Sequence, residues 1–306
     1  MRVFLTGGTG LVGNRLIQRL QKRQDKVVLL TRRPNIARQK FGPTVTIVEG
    51  DPTKAGSWAN SVSDCDAVIN LAGENVFGHR WSEDFKIQLR DSRIRSTENV
   101  VQALTKNRST NGAARTLINA SAIGYYGFHG DEELTEESPP GEDFLAKLCV
   151  DWEQAAKAAE PAGVRVAMIR VGVVLDRAGG ALAMLLTPFK LFAGGPAGSG
   201  RQWMSWIHHD DLVGMFLLAL DKPEAAGPIN GTSPNPLTNR EFTRALGRAL
   251  HRPSFLPTPG FALRIMLGEV AEVVLKGQRV LPRKALNLGY LFRFAQIDAA
   301  LTDVLA

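Results

Sequence analysis

Val3-Phe4-Leu5-Thr6-Gly7-Gly8-Thr9-Gly10-Leu11-Val12-Gly13 is the stretch that decides the fold. An apolar run passes directly into a series of glycines and then into residues with helical apolar spacing, Leu16, Ile17 and Leu20. A buried strand that turns through Gly7, Gly10 and Gly13 into a helix is the geometry for holding a pyrophosphate. The glycines permit a tight turn and close backbone approach, and the helix N-terminus presents unpaired N–H groups to an anion. Thr9, Leu11 and Val12 lie on the same turn, within reach of the same ligand. Val27-Val28-Leu29-Leu30 then supplies a second strand and completes a βαβ unit.

Working outward, further strands are expected over 44–48, 67–73, 116–121 and 164–175, and helices over 81–106 and 144–159. Strand 67–73 is almost wholly apolar, as a parallel strand covered on both faces should be. Strands alternating with helices predict an α/β fold, a Rossmann-type doubly wound parallel sheet. The second half differs in texture. Gly194 to Gly200 reads as a loop, Trp206-Ile207 as a short strand, and Asp210 to Leu220 as a helix. Pro234, Pro236 and the run Pro253 to Pro259 punctuate the remainder of the chain. The expected division is residues 1–232 as the dinucleotide-binding domain and 233–306 as a smaller, mostly helical C-terminal lobe contributing to substrate binding.

The bulk properties narrow the classes. The chain has 306 residues, 44% hydrophobic and 22% charged, which is ordinary globular composition and enough for a sizeable core. No run of 18 apolar residues appears, and the first strand begins at the initiator Met, so a soluble, cytoplasmic protein is expected. Cys65 and Cys149 have no metal-ligand spacing and read as small core residues. The formal charge is +7, yet seven acidic residues and no basic ones fall between Asp131 and Asp143. The basic residues are scattered and not interleaved with aromatics, which argues against a nucleic-acid partner.

The end of the second strand speaks to the cofactor. NAD-binding folds place an acidic residue there to accept hydrogen bonds from the adenosine ribose, but this chain has Thr31-Arg32-Arg33. A guanidinium cannot accept, but it pairs bidentately with a 2′-phosphate, so NADP is the expected cofactor with Thr31 and Arg32 at its phosphate. Asp51 suits either the adenine amine or a capping role. Leu71-Ala72-Gly73 ends a buried strand at the sheet's carboxyl edge, where small residues let the cofactor approach.

The glycine turn combines with Asn70-Leu71-Ala72-Gly73-Glu74-Asn75, Ser92-Arg93-Ile94, Ser121-Ala122-Ile123-Gly124-Tyr125-Tyr126-Gly127, Trp152-Glu153, Arg170, Ile207 to Leu212 and Gly277 to Pro282. With these the whole chain resembles the atypical short-chain dehydrogenases/reductases of the epimerase-like family that carry a family-specific C-terminal extension. The resemblance implies that Gln88 and Arg93 reach the dinucleotide and that the backbone at Val174 borders the nicotinamide. It also implies that the paired histidines His208 and His209 with Asp210-Asp211 join the two lobes, an Asp capping the helix, rather than hold a metal.

One departure bears on chemistry. Such enzymes use a Tyr-x-x-x-Lys pair, in which the Lys charge lowers the Tyr pKa for proton exchange with substrate. Here the residues four after Tyr125, Tyr126 and Tyr290 are His129, Gly130 and Phe294, and the relevant helix offers Phe144 and Leu148. Ser121 and Tyr126 are the candidate catalytic substitutes, with Glu74, Asp143 and Lys147 as charged participants and the acidic run 131–143 as a candidate lid. Two functions remain open: an NADP(H)-dependent, epimerase-like oxidoreductase acting on an unknown small molecule, and a non-catalytic NADP-binding sensor or scaffold for a protein partner.

Overall fold

A computed structural model describes residues 1–106 and 115–306. The chain opens with β1 (Arg2–Thr6), α1 (Leu11–Lys22), β2 (Lys26–Thr31), α2 (Pro34–Phe41), β3 (Val45–Glu49) and β4 (Ala67–Asn70). It continues through α3 (Glu83–Lys106), β5 (Thr116–Ala122), β6 (Glu133–Leu134), α4 (Phe144–Lys157), β7 (Arg165–Val171) and β8 (Val173–Leu175). Next come α5 (Gly180–Lys190), β9 (Trp203–Met204), β10 (Trp206–His208), α6 (His209–Asp221) and β11 (Gly227–Gly231). The C-terminal part holds β12 (Leu237–Thr238), α7 (Asn239–Leu250), α8 (Gly260–Leu267), α9 (Ala271–Leu275), β13 (Arg279–Val280), α10 (Arg283–Asn287) and α11 (Ile297–Leu305).

Seven strands form one parallel sheet in the order β11-β7-β5-β4-β1-β2-β3, the expected doubly wound arrangement. Side chains alternate between its faces with period 2. Val3 and Leu5 pack with Leu16, Ile17, Leu212 and Phe216 of α1 and α6, whereas Phe4 packs with Trp58, Val100 and Leu104 on the other side. Covering both faces is what makes each strand read as a continuous apolar run. The direction of winding reverses between β1 and β4, so the loops after these two strands diverge and leave a crevice at the sheet's carboxyl edge.

Two strands differ from expectation. β4 stops at Asn70, and Leu71 to Gly73 are already outside the sheet. The long strand expected over 164–175 breaks at Gly172, where a Cβ would lie 2.4 Å from the Ser205 carbonyl oxygen. Only a glycine lets the two backbones come that close. Beyond the break, β8 leaves the main sheet and pairs in parallel with β10.

The mostly helical C-terminal lobe has its own core, in which Phe242, Leu246, Phe294, Ile297 and Leu301 pack with Leu175, Leu182, Phe189 and Trp206 from earlier in the chain. α7 is well specified locally. Thr238 and Glu241 form a reciprocal capping box, and His251 ends the helix in the left-handed region at φ 53°. The acidic run is no free lid. Its β6 pairs with β13, Glu133 contacts Arg279 at 3.1 Å, and Asp131 accepts a 2.8 Å hydrogen bond from Trp203 Nε1. Both cysteines are buried and free, as expected. Among the described residues no helix is long and apolar enough to cross a membrane.

Candidate functional site

The turn after β1 is built by backbone contact. Gly7 lies at φ 68°, and a Cβ there would sit 2.6 Å from the Leu71 carbonyl group. A Cβ on Gly13 would meet the Gly7 oxygen at 2.5 Å. Gly10 closes the turn through its N–H to the Gly7 oxygen at 3.0 Å. α1 has no side-chain cap and no acidic residue in its first turn, so its leading N–H groups are left for an external anion. A cradle that any side chain would fill, beside an uncapped helix N-terminus, fits a dinucleotide pyrophosphate.

Below this turn lies a polar network whose role sequence reading missed. Buried Asn70 accepts from Thr6 Oγ1 at 2.6 Å and donates to Asn119 Oδ1 at 2.7 Å and Thr97 Oγ1 at 2.9 Å. Thr97 Oγ1 also accepts from Trp152 Nε1 at 2.9 Å, and Thr6 Oγ1 accepts from the Ala72 N–H at 3.2 Å. The network ties the ends of β1 and β4 and the middle of β5 to α3 and α4 and fixes the Leu71–Gly73 turn against Gly7. Its signal was an Asn within an otherwise apolar strand.

The crevice opens into a cleft of about 990 Å³. Leu11, Val12, Glu74, Arg93 and Val174 line it, together with Asp143 at its edge. Arg93 donates to the Glu74 carbonyl oxygen at 2.8 Å and the Leu89 carbonyl oxygen at 3.1 Å, lies over the Trp152 ring, and packs against Gly73. Burial pulls its pKa below the usual arginine value, and its hydrogen-bonded acceptors are neutral. It is therefore a cation placed to meet an anion or a ribose hydroxyl in the cleft. Gln88 is exposed on α3 and does not line the cleft, so the structure brings together Arg93 and the glycine turn but not Gln88.

At the end of β2, Thr31 is buried and its Oγ1 accepts from the Arg33 N–H at 3.1 Å, fixing the turn. Arg32 is exposed at the sheet edge beside Asp51. Asp51 caps its own turn, accepting from the Thr53 N–H at 3.0 Å and hydroxyl at 2.8 Å. Burial alone would raise its pKa, but these bonds hold it below the usual carboxylate value.

The two residues named as catalytic substitutes are buried beside the cleft. Ser121 and Tyr126 are 2% and 0% exposed, and neither lines the cleft. Ser121 donates to Glu153 Oε1 at 2.8 Å, and Tyr126 donates to Asn230 Oδ1 at 2.7 Å. Both belong to a closed knot around Arg170, which grips Glu153 with two bonds of 2.8 and 2.9 Å, reaches Tyr126 Oη at 2.9 Å and stacks on Tyr125 at 3.4 Å. Burial pushes the Tyr126 hydroxyl up to about 12, although Arg170 pulls the other way. The Tyr126 hydroxyl is thus buried and committed to Asn230 and Arg170. Lys147 is exposed and lies outside the cleft lining.

The His208-His209 element joins sheet and lobe, but the cap is His208 rather than an Asp. His208 Nδ1 accepts from the Asp210 N–H at 3.1 Å, which leaves the ring proton on Nε2, facing Asp303 at 3.2 Å. Although His208, His209 and Asp303 cluster, an Nε2 that carries the proton has no lone pair for an ion. Asp211 accepts from the Arg293 and Phe294 N–H groups at 2.8 and 2.9 Å, securing the C-terminal segment.

Comparison with known proteins agrees with this architecture. Residues 3–230 match the NAD dependent epimerase/dehydratase family, and residues 258–304 match a domain of unknown function, DUF1731. The chain is 45% identical over 309 residues to "Epimerase family protein SDR39U1 homolog, chloroplastic" of Arabidopsis thaliana, covering 100% of this chain and 87% of that protein. It is 41% identical over 300 residues to epimerase family protein Mb2239 of Mycobacterium bovis, covering 98% of this chain and 96% of that one. Among solved structures, human epimerase family protein SDR39U1 (isoform2) with NADPH superposes with a TM-score of 0.87 at 34% identity, covering 99% of both chains. A UDP-galactose 4-epimerase shares the fold, with a TM-score of 0.77 at 19% identity and coverage of 99% and 97%.

Proposed function

The chain belongs to the NAD dependent epimerase/dehydratase family, and from that premise we propose that it binds NADP(H) and acts as an epimerase-like oxidoreductase on a small molecule. The observation that carries the reading is the glycine cradle, where Gly7 and Gly13 leave room only for backbone and α1 begins without a cap. NADPH is the form found with the human relative. In this reading Gly7, Thr9, Gly10, Leu11, Val12 and Gly13 hold the pyrophosphate, and Thr31 shapes the turn that presents Arg32 to the 2′-phosphate. Leu71, Ala72 and Gly73 give room for the adenosine side, Arg93 reaches a ribose or phosphate, and Val174 borders the nicotinamide. When bound, the cofactor supplies or accepts a hydride at its nicotinamide ring.

Residues 1–232 carry the cofactor site in this proposal, and residues 233–306 cover the substrate end. A cytoplasmic location belongs to the same proposal; the Arabidopsis relative is named as chloroplastic. The test is a paired fluorescence titration with NADPH and NADH, in the parent and in Arg32→Ala. A lost charge-assisted bond is worth about 1.5–3 kcal/mol, so the parent's preference for NADPH is expected to fall by at least about tenfold. Equal affinities for the two cofactors in the parent would refute the assignment.

A second reading, a non-catalytic NADP-binding protein, draws on the burial of Ser121 and Tyr126 and on the missing Tyr-Lys pair. Cofactor oxidation followed by absorbance over a carbonyl panel separates the two. Turnover favours the enzyme, and saturable binding without turnover favours the sensor.

A further inference from the structure

The wall that faces the glycine turn is apolar where a nucleotide-sugar site would be charged. On α4, the helix that carries the Tyr-Lys pair in the resembled enzymes, Leu145, Leu148, Cys149 and Trp152 line the cleft. Their spacing of three, four and seven residues makes one helical stripe. Across the cleft stand Met184, Leu185 and Pro188 of α5, and Leu263, Met266 and Leu267 of α8. At the rim the apolar character continues outward, with Leu191 and Met266 72% and 67% exposed.

Several polar side chains on this lining are committed to the protein, and Gln202, whose Nε2 donates to the Ala197 and Val274 carbonyl oxygens at 3.0 and 2.9 Å, leaves only an acceptor, its Oε1, without a partner. Ser205 donates to the Gln278 carbonyl oxygen at 2.8 Å and accepts from the Val280 N–H at 2.9 Å. Gln278 donates to the Ile123 carbonyl oxygen at 3.0 Å, and Asn239 accepts from the Ala197 N–H at 2.9 Å. Among the described lining residues the cations are Arg93 and Lys276. Arg93 lies beside Gly73 at the cofactor turn, and Lys276 is paired with Glu272 at 3.1 Å. A diphosphate moved into such a lining would lose its water without gaining a free cation. Transfer of an unpaired charge from water costs several kcal/mol, far more than a sugar's hydrogen bonds return. Burying hydrocarbon there gains about 25 cal/mol per Å².

We propose that the substrate half of this cleft takes a lipophilic small molecule with no phosphate or nucleotide portion. The inference rests on the reading that the other half holds NADP(H), because only then is this wall the substrate's. At about 990 Å³ the whole cleft is at the upper end of the range of about 300–1,000 Å³ usual for small-molecule sites.

The test uses the full chain saturated with NADPH and the neutral fluorophore N-phenylnaphthylamine. Expected are saturable enhancement of the probe, displacement by a medium-chain ketone such as decanone, and no displacement by millimolar UDP-glucose. Met184→Glu and Met266→Glu place a carboxylate on the apolar wall at exposed positions the fold tolerates. Each should weaken the probe by at least about tenfold while NADPH affinity, titrated separately, stays at the parent value. Displacement by UDP-glucose, or probe binding indifferent to both substitutions, overturns the proposal. Probe binding that behaves as expected in a protein that fails to bind NADPH would overturn the cofactor reading instead.

Discussion

Gly13→Ala sets two effects of known sign against each other. Gly13 lies inside α1, so alanine should stabilise the helix by about 0.8–1.0 kcal/mol through propensity alone. The new methyl would nevertheless meet the Gly7 oxygen at 2.5 Å, the Gly8 Cα at 2.6 Å and the Gly7 carbonyl carbon at 3.0 Å. All three are backbone atoms of a turn pinned from behind by Leu71, so none can move as a flexible side chain could. Forcing a methylene into a packed site costs about 1–3 kcal/mol, and contact with fixed backbone belongs at the upper end. Packing wins, with a net loss of about 1–2 kcal/mol. For a chain of 306 residues that lowers the melting temperature by about 1.5–3 °C. The start of α1 must also swing away from the turn, and NADPH should bind at least about tenfold more weakly as its N–H contacts are lost. Gly10→Ala is the control. Its backbone, at φ −74° and ψ 179°, suits any residue, and its nearest Cβ contact is 3.2 Å. It should cost under about 1 kcal/mol. Melts followed by circular dichroism and a fluorescence titration with NADPH read both variants. The reasoning is refuted if Gly13→Ala melts at or above the parent, or if Gly10→Ala is the more damaging change.

The neighbouring sites yield further expectations. Burial, and then the neighbouring His209, disfavour the charged form of His208 and push its pKa below the usual histidine value. Its folded pKa lies below the unfolded value of about 6.5, so its contribution is present above that pH and is lost as pH falls toward about 4. His208→Asn keeps a capping acceptor and should flatten the melting profile between these pH values, and an unchanged profile counts against the assignment. Arg170→Met leaves Glu153 buried and unpaired, which should destabilise by about 3–5 kcal/mol in urea melts. A loss under about 1 kcal/mol would show that the knot carries little of the fold. Burial pushes the Cys149 thiol up to about 12, so alkylation by iodoacetamide should be slow until denaturant is added, and rapid labelling of the native protein contradicts its burial.

The doubly wound sheet was legible because its signals are local or periodic: glycines at a turn, apolar runs covered on both faces, helical spacing in α1. The cofactor turn was legible for the same reason, since strand, turn and helix N-terminus are consecutive. What escaped depended on contacts distant in sequence. Gly172 looks like any residue in a run of β-formers until Ser205 is known to lie against it. Ser121 and Tyr126 sit at the strand end where catalytic groups belong, but Glu153, Arg170 and Asn230 claim them from 32, 44 and 104 residues away. The apolar cleft wall was similarly hidden, since Leu145 and Leu148 read as core until α5 and α8 are seen to leave a gap opposite them.

The Arg170 knot also bears on how the C-terminal segment is held to the sheet. Tyr126 from the loop after β5, Glu153 from α4 and Arg170 from β7 meet Asn230 at the sheet edge, and Asn230 Nδ2 then donates to the Leu281 carbonyl oxygen at 2.9 Å. Arg170, Glu153 and Tyr126 satisfy one another across 17 to 44 residues of sequence, whereas the Asn230 amide N–H finds its acceptor only at Leu281. In the folded protein the segment around Leu281 thus supplies the acceptor for the buried Asn230 amide of β11. The C-terminal extension, which looks like an accessory lobe in the linear sequence, is on this view a structural part of the sheet it follows.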